Sequence, residues 1–317
     1  MFEPFKNYTI EQLIIIGTTP LYTIVIIGEI LFSNFQHRYY YTIKDTITNL
    51  YLMFLNGGLD LLSRGITWVI LAWFYQLGDP SFHFFDTQNP ILYWTILFLA
   101  EDFLYYILHV FDHYTRLFWA AHVTHHSSEQ FNLTVGFRSS VFQPLYRFIY
   151  FIPLSLMGFK VVDIAIMYSV TQIYGISVHT SYIQKLRKMP YKLLEYVIVT
   201  PSQHRVHHAS NIEYLDKNMG MCLSIWDRMF GTFQEELDDL PIRYGLTHPL
   251  ESRGAANIVF HEWIALSKDV ANSSGFLNKL KYLFMPPGWS PDGSTKTSKE
   301  LRAELSSKEE IQIKEYN

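Results

Sequence analysis

Five stretches of the sequence are apolar over roughly the length of a membrane-spanning helix. They cover residues 12–32, 48–76, 91–110, 141–158 and 162–180. A helix of about 20 apolar residues crosses the hydrocarbon core of a bilayer, which is roughly 30 Å thick. The last two stretches have only about 18 residues each, so a shallow or re-entrant hairpin is an alternative for them. From about residue 184 onward the chain is mixed in polarity, and residues 297–317 are predicted to form an exposed tail.

The basic residues between these stretches predict an orientation. They follow the first, third and fifth stretches: Arg38 and Lys44, Arg116 and Arg138, and the run from Lys185 to Lys192. The loop after the second stretch has two aspartates and no basic residue, whereas Lys160, between the fourth and fifth, is the exception. Because basic loops stay on the cytoplasmic side, we expect the N-terminus outside and the loops after stretches one, three and five in the cytoplasm.

These patterns predict an all-α integral membrane helical bundle with a cap on its cytoplasmic side. We divide the chain into N-terminal membrane-anchoring helices over residues 1–90, a catalytic domain over 91–250 and a C-terminal cytoplasmic segment and tail over 251–317. A multi-pass protein of this kind resides in the plasma membrane of a bacterium or in the endoplasmic reticulum of a eukaryote.

The composition agrees with a membrane protein and argues against several other classes. Apolar residues make up 49% of the chain and aromatic residues 17%, and Trp and Tyr favour the bilayer interface. The net charge of −4, without a dense basic patch before the tail, argues against nucleic acid as the main partner. Cys222 is the single cysteine, which excludes an intrachain disulfide and the multi-cysteine zinc sites.

Nine histidines fall into short clusters that the predicted topology brings to the cytoplasmic side. They are His109, His113, His122, His125, His126, His179, His204, His207 and His208. His109 and His113 are spaced i,i+4, and the two His-x-x-His-His blocks over 122–126 and 204–208 are spaced i,i+3,i+4, so each group is expected on one helix face. The other histidines are scattered: His37, His83, His248 and His261.

The clustered histidines predict a metal centre with more than one ion. Imidazole binds zinc, copper, iron or nickel, and none of the groups completes a site alone. A mononuclear zinc site needs only three or four ligands, whereas nine nitrogens could supply two ions with about four or five each. A single histidine at a helix end is usually structural, but solvation of a polar face does not require so many. We therefore predict a dinuclear centre between the two blocks.

Two carboxylates, Glu101 and Asp102, lie within the third apolar stretch, where a buried charge is costly and indicates function. Asp102 shares a helix face with Tyr106, His109 and His113. It is a candidate to accept a hydrogen bond from the second ring nitrogen of a ligand histidine, which would fix the tautomer of that ring. The alternative is a structural hydrogen bond to a neighbouring helix. Glu101 points about 100° away and is interpreted as a contact within the bundle.

The common motifs of nucleophilic and nucleotide chemistry do not occur. The sequence has no Gly-x-Ser-x-Gly nucleophile turn and no glycine-rich phosphate-binding loop. A redox centre in this chain would therefore need electrons from a separate protein or from a small diffusible reductant.

The histidine motifs "HVFDH", "HVTHH" and "HRVHH", set in order among apolar stretches, resemble the fatty acid hydroxylase / sterol desaturase superfamily of membrane di-iron oxygenases. The resemblance covers roughly residues 90–235. It implies two iron ions, dioxygen as co-substrate and hydroxylation of a lipid C–H bond. It also implies that the nine clustered histidines are the iron ligands, and Asp102 matches the acidic residue that precedes the first motif.

Within that superfamily, the chain is most similar to the member that cleaves ether lipids. The stretches "FWAAHVTHHSSEQFNLT", "TPSQHRVHHASN", "DKNMGMCLSIWDRMFGTF", "YGLTHPL" and "PPGWSPDG" extend this likeness to about residue 293. It implies a glyceryl ether as substrate and tetrahydrobiopterin as electron donor. Two positions depart from the family pattern: Val110 stands where the first motif usually has Arg, and Gly175 where some relatives have a histidine.

Two alternatives remain open at this point. The same centre could hydroxylate or desaturate a sterol, a carotenoid or a fatty acyl chain, since one scaffold supports many lipid substrates. The histidines could instead belong to a zinc-dependent membrane hydrolase or to a metal-binding transport component. Product analysis distinguishes the first alternative, and metal analysis with a test for O2 dependence distinguishes the second.

Overall fold

A computed structural model describes residues 10–78, 89–186 and 190–316. The described residues form twelve α-helices: α1 Ile10–Phe35, α2 Ile43–Leu77, α3 Pro90–Tyr114, α4 Arg116–His126, α5 Pro144–Leu156, α6 Val161–Ser177, α7 Tyr191–Val197, α8 Pro201–His207, α9 Ile225–Phe230, α10 Ala255–Asn272, α11 Phe276–Phe284 and α12 Ser298–Tyr316. Their only β-pairing consists of two isolated bridges. The predicted all-α class is therefore confirmed for this part of the chain. His83 lies outside the described residues, as do Arg187 and Lys188 of the predicted basic run.

The five predicted apolar stretches correspond to α1, α2, α3, α5 and α6, but the last two helices are shorter than expected. Within the described residues, α1 and α3 are long and apolar enough to cross a membrane, and α6 is apolar but shorter. The 13 residues of α5 extend about 20 Å at 1.5 Å per residue. Pro144 begins α5, since proline fits the first helical turn, and Gly158, at φ 89°, follows its end.

Four of these helices form a bundle around an apolar core. Helices α2, α3, α5 and α6 pack against one another, and α1 packs against α6. The core of the bundle consists of Leu71, Leu97, Phe151, Leu154, Phe159, Ile164 and Met167. Tyr22 on α1 donates a hydrogen bond to the carbonyl of Ile173 on α6 (2.6 Å). These contacts fix the end of α3, which carries His109 and His113, and the end of α6, which His179 follows.

The other histidines lie in a cap that packs on one end of the bundle. Helix α4 packs against α3 and α10, and the Arg116 side chain at its start contacts Glu262 and Asp269 on α10 (both 2.7 Å). Arg138 is also buried and binds Asp45 at the start of α2 (3.1 Å). Arg116 thus ties α4 to α10, and Arg138 ties the segment after α4 to α2 of the bundle; the sequence analysis used both arginines as loop charges.

Candidate metal centre

The structure brings all nine clustered histidines together in two adjacent sets. Set one comprises His109, His113, His122, His126 and His207, and set two comprises His125, His179, His204 and His208. Within each set, one ring nitrogen of every histidine lies within 4.8 Å of the corresponding nitrogen of every other. Metal–nitrogen bonds of about 2.0–2.1 Å, as for zinc, separate opposite ligands of one ion by about 4 Å. Each set therefore has the dimensions of a single metal site.

Each His-x-x-His-His block contributes to both sets. On α4, His122 and His126 belong to set one and His125 to set two; around α8, His204 and His208 belong to set two and His207 to set one. Residues i and i+4 point in nearly the same direction on a helix, whereas i+3 and i+4 diverge by about 100°. We expected the three histidines of a block on one helix face, but they divide between the two sets. The i,i+4 pair serves one set and the i+3 residue serves the other.

The two sets are in direct contact. The rings of His126 in set one and His208 in set two are stacked with centroids 4.5 Å apart. His204 and His207, which also belong to different sets, are stacked at 5.3 Å. The two sets therefore adjoin, and ions bound in both would lie side by side, as in two-metal sites that act on one substrate.

Hydrogen bonds to the outer ring nitrogens fix the tautomers of five rings. The Nδ1 atoms donate as follows: His109 to the Met219 carbonyl (2.8 Å), His113 to the Asp216 carboxylate (3.1 Å), His125 to the Arg138 carbonyl (3.0 Å), His179 to the Gly175 carbonyl (2.8 Å) and His207 to the Lys217 carbonyl (3.0 Å). Because these oxygens only accept, Nδ1 carries the hydrogen and Nε2 keeps its lone pair. All five rings therefore present a ligand atom to the interior.

Two of these interior nitrogens lack a hydrogen-bond partner among the described residues: Nε2 of His113 and Nε2 of His207, both of which are buried. An unsatisfied buried polar atom costs about 1–3 kcal/mol, and a bound cation would remove that cost. A donor set of imidazole nitrogens suits iron as well as zinc.

The environment keeps the imidazoles in the form that binds metal. Burial, reinforced by neighbouring imidazoles, lowers the pKa of the cap histidines well below its usual value: His122, His125, His126, His204, His207 and His208. These rings are consequently neutral near pH 7, and their lone pairs do not have to be freed from protons before a metal ion binds.

A short loop between α8 and α9 orients three of the five rings of set one. Asp216 accepts from His113, the Lys217 carbonyl from His207 and the Met219 carbonyl from His109. Asp216 and Asn218 adopt positive φ angles of 52° and 56°, which Asp and Asn tolerate better than most residues. The Asp227 carboxylate fixes the loop by accepting from the backbone N–H of Met219 (2.6 Å). The sequence analysis missed this loop as a source of partners, although "DKNMG" belongs to the stretches that carry the family likeness.

Asp216→Asn is expected to lower turnover roughly ten- to a hundredfold, the usual effect of removing a hydrogen-bond partner of a metal ligand. The amide oxygen can still accept from His113, but without the charge that makes the ring a stronger ligand. Turnover and metal content are the measurements, and Glu213→Gln, a nearby acidic-to-amide change outside this network, is the matched control. Equal turnover of the two variants would show that Asp216 does not act on the site.

Asp102, a candidate partner for a ligand histidine, instead binds groups of a distant segment. Its carboxylate accepts from the backbone N–H of Cys222 (2.9 Å) and Leu223 (3.1 Å) and from the indole of Trp226 (2.9 Å). None of the hydrogen bonds described for it involves a histidine. Asp102 thus holds the segment after the Asp216–Gly220 loop against α3, and a direct catalytic role for it stays a prediction.

Asp112, which the sequence analysis did not single out, is a second carboxylate that lies beside a ring, in addition to Asp216. It is fully buried within the first histidine motif, and it accepts hydrogen bonds from Gln143 and Tyr146 (both 2.8 Å). Its Oδ2 lies 3.5 Å from Nδ1 of His122. The position of Asp112 between His109 and His113 in "HVFDH" could have identified it from the sequence as a neighbour of the histidines. Glu101 accepts from Thr171 on α6 (3.2 Å), which is a contact within the bundle as expected.

A cavity of about 100 Å³ adjoins both sets of histidines. Its lining includes His109 and His122 of set one and His125, His179 and His204 of set two. It also includes polar side chains, among them Asn56, Ser139, Ser140, Gln143, Arg147, Tyr168 and Gln172. A small polar group of a substrate can therefore lie directly beside the candidate metal site, where these side chains can bind its hydroxyls.

Helices, nine imidazoles gathered in two adjacent sets and an adjoining cavity define a protein with a candidate dinuclear metal centre. Residues 94–232, which include every one of the nine histidines, match the family model of fatty acid hydroxylases. The chain therefore carries a fatty acid hydroxylase domain over these residues, as the histidine motifs predicted. No solved structure matches it.

Curated relatives include several lipid-oxidising enzymes. Alkylglycerol monooxygenase of Homo sapiens is 33% identical over 246 residues, which are 75% of this chain and 54% of the relative. The enzyme of the same name from Danio rerio is 35% identical over 250 residues, 78% of this chain and 53% of the relative. Ornithine lipid hydroxylase OlsE of Rhizobium tropici is 29% identical over 153 residues, 48% of this chain and 45% of the relative. The chain thus spans about half the length of the alkylglycerol monooxygenases.

Proposed function

We propose that this protein is a membrane di-iron monooxygenase that cleaves O-alkyl glycerol ethers. The observation that carries the proposal is the pair of buried histidine sets, each with the dimensions of a metal site and each supplied with lone pairs directed inward. The likeness to alkylglycerol monooxygenases supports the substrate class. Set one would hold one iron and set two the other, and the pair would supply the activation of O2 that amino-acid side chains cannot.

The chemistry of ether cleavage follows from hydroxylation of one carbon. The substrate C–H bond, O2, two electrons and two protons give the alcohol and one water molecule. When the hydroxylated carbon is bonded to the ether oxygen, the product is a hemiacetal. It collapses to an aldehyde and free glycerol as the hydroxyl proton moves to the departing ether oxygen, and no further oxidant is needed.

The residues of the cavity would bind and orient the glycerol group. Ser139 and Ser140 provide hydroxyl groups, and Gln172 provides an amide, in the lining of this cavity. Such groups hydrogen-bond the two free hydroxyls of a glyceryl ether and leave the ether carbon facing the imidazoles. The small volume of the cavity limits the water beside the reacting carbon.

We propose tetrahydrobiopterin as the electron donor. Each turnover consumes two electrons, and the chain would obtain them from outside. The likeness to the ether-cleaving member of the family supports a pterin rather than an electron-transfer protein. A requirement for the pterin in turnover assays with purified protein is the direct test.

We also propose a multi-pass arrangement in which α1, α2 and α3 cross the bilayer and the histidine cap faces the cytoplasm. Large apolar side chains on α1 and α2, among them Ile24, Leu31, Leu62 and Val69, are largely exposed. Exposed apolar surface of this extent is unfavourable in water and suits a lipid environment. The division into anchoring helices, a catalytic domain over 91–250 and a C-terminal segment belongs to the same proposal.

The test is an incubation of membranes that contain the protein with an alkylglycerol, tetrahydrobiopterin and O2. We expect a fatty aldehyde in amounts that depend on all three. An oxidised sterol, carotenoid or acyl chain without aldehyde would identify a different oxidation at the same centre. Turnover without O2, on a protein that holds a single zinc ion, would instead identify a hydrolase.

A further inference from the structure

A second cavity extends from the metal site into the bundle, and we call it the apolar chamber. It has a volume of about 290 Å³ and lies between α1, α2, α5 and α6. It shares three lining residues, Arg147, Tyr168 and Gln172, with the cavity beside the histidines. The two cavities therefore adjoin, and these three side chains form the neck between them.

The lining changes from polar to apolar along one face of α2. Asn56 lines the metal-site cavity, and Asp60, Arg64, Trp68 and Leu71 line the apolar chamber. Their spacing of three or four residues puts them on one side of the helix, over about 22 Å at 1.5 Å per residue. Phe151 and Ile164 complete the apolar end. A molecule with a polar head and a hydrocarbon chain matches this gradient when its head lies beside the imidazoles.

The charged side chains near the neck pair with one another. Arg147 binds the carboxylate of Asp60 (2.8 Å) and stacks over the ring of Tyr168, 4.3 Å from its centroid. Asp60 also binds Arg64 (2.7 Å). Because these groups satisfy one another, the stems of the side chains and the tyrosine ring remain to contact a hydrocarbon chain that passes them.

Building on the proposed function, we propose that the apolar chamber binds the hydrocarbon chain of the substrate and that Ala165 sets the chain length the enzyme accepts. Ala165 is the smallest side chain in the wall of the apolar chamber. It lies one helical turn beyond Tyr168 on α6, between the neck and Val161 at the far end. A larger side chain here would close the far part of the apolar chamber and leave the neck unchanged.

The first test compares Ala165→Phe with unmodified protein on glyceryl ethers that carry hexyl or hexadecyl chains. The ratio of kcat/KM for hexadecyl to that for hexyl is expected to fall at least about tenfold, since even one methylene in an apolar pocket is worth 10- to 200-fold. Val170 is 48% exposed on the outer side of α6. Val170→Phe therefore adds the same ring outside the apolar chamber and should leave the ratio unchanged. An equal loss for both substrates, or an unchanged ratio in Ala165→Phe, would overturn the proposal.

The second test measures binding without turnover. A hexadecyl glyceryl ether with a diazirine at the end of its chain is photolysed on the membrane-embedded protein, and the labelled peptides are identified. We expect label near Leu71, Phe151 and Ile164, and its loss in Ala165→Phe but not in Val170→Phe. Label confined to outward residues of α1 would overturn the proposal. Label in the apolar chamber of a protein that yields no aldehyde would refute the proposed function and support this assignment of the apolar chamber.

Discussion

His207→Ala is expected to reduce ether cleavage to the background of membranes that lack the protein. His207 is the only residue of α8 in set one, and its buried Nε2 has no hydrogen-bond partner among the described residues. Its removal takes away one of the five candidate ligands of set one and the contribution of α8 to that set. His125→Ala should have the same effect through set two, where His125 is the only candidate ligand from α4. The measurements are aldehyde production and iron content per chain.

His261→Ala is the matched control for these variants. His261 lies on α10, outside both sets, and its Nδ1 donates to the carbonyl of Asn257 on its own helix (3.0 Å). Its replacement should leave turnover and iron content unchanged, and all three variants should insert into membranes like the unmodified protein. If His207→Ala retained full turnover, the assignment of set one as a metal site would be wrong.

Removal of the metal is expected to destabilise the folded protein by several kilocalories per mole. A ligand that binds only the native state stabilises it by about 4 kcal/mol when its concentration is a thousandfold above its Kd. Without a cation, the lone pairs of His113 and His207 remain buried and unsatisfied. Chelation should therefore lower the temperature of thermal unfolding in detergent by several degrees.

Zinc provides the control for the effect of the metal. Zinc binds nitrogen donors at least as tightly as ferrous iron does, so it should restore the unfolding temperature of the metal-free protein. It cannot change oxidation state, and turnover should return only with iron. If the metal-free and the iron-loaded protein unfolded at the same temperature, no ion bound by the histidines would stabilise the folded protein.

Much of the candidate site could be predicted from the sequence because its ligands follow helical spacing. The separations within "HVFDH", "HVTHH" and "HRVHH" determine which histidines share a helix face, and the order of apolar stretches indicates which helix ends meet. Which ring belongs to which set could not be read in this way. Whether His125 faces the same ion as His126 depends on how α4 is rotated against α8, and long-range packing decides that rotation.

The hydrogen-bond partners of the rings were the least predictable part. Four of them are backbone carbonyls, of Met219, Arg138, Gly175 and Lys217. Because every residue has a carbonyl, the sequence does not indicate which one will bind a ring. Asp102 has the right residue type and spacing but binds backbone N–H groups of a distant segment instead. The length of α5 was overestimated because apolar residues continue on both sides of it, whereas the helix begins at Pro144 and ends before Gly158. The fifth apolar stretch likewise continues to residue 180, whereas α6 ends at Ser177.

The central claim is that the nine imidazoles bind two iron ions, and anaerobic titration of the metal-free protein with ferrous iron tests it most directly. Bound iron per chain, measured after removal of the free ion, is predicted to reach two in the unmodified protein and to fall in His207→Ala and in His125→Ala, but not in His261→Ala. Saturation at one iron or none in the unmodified protein, or full binding by both ligand variants, would contradict the account.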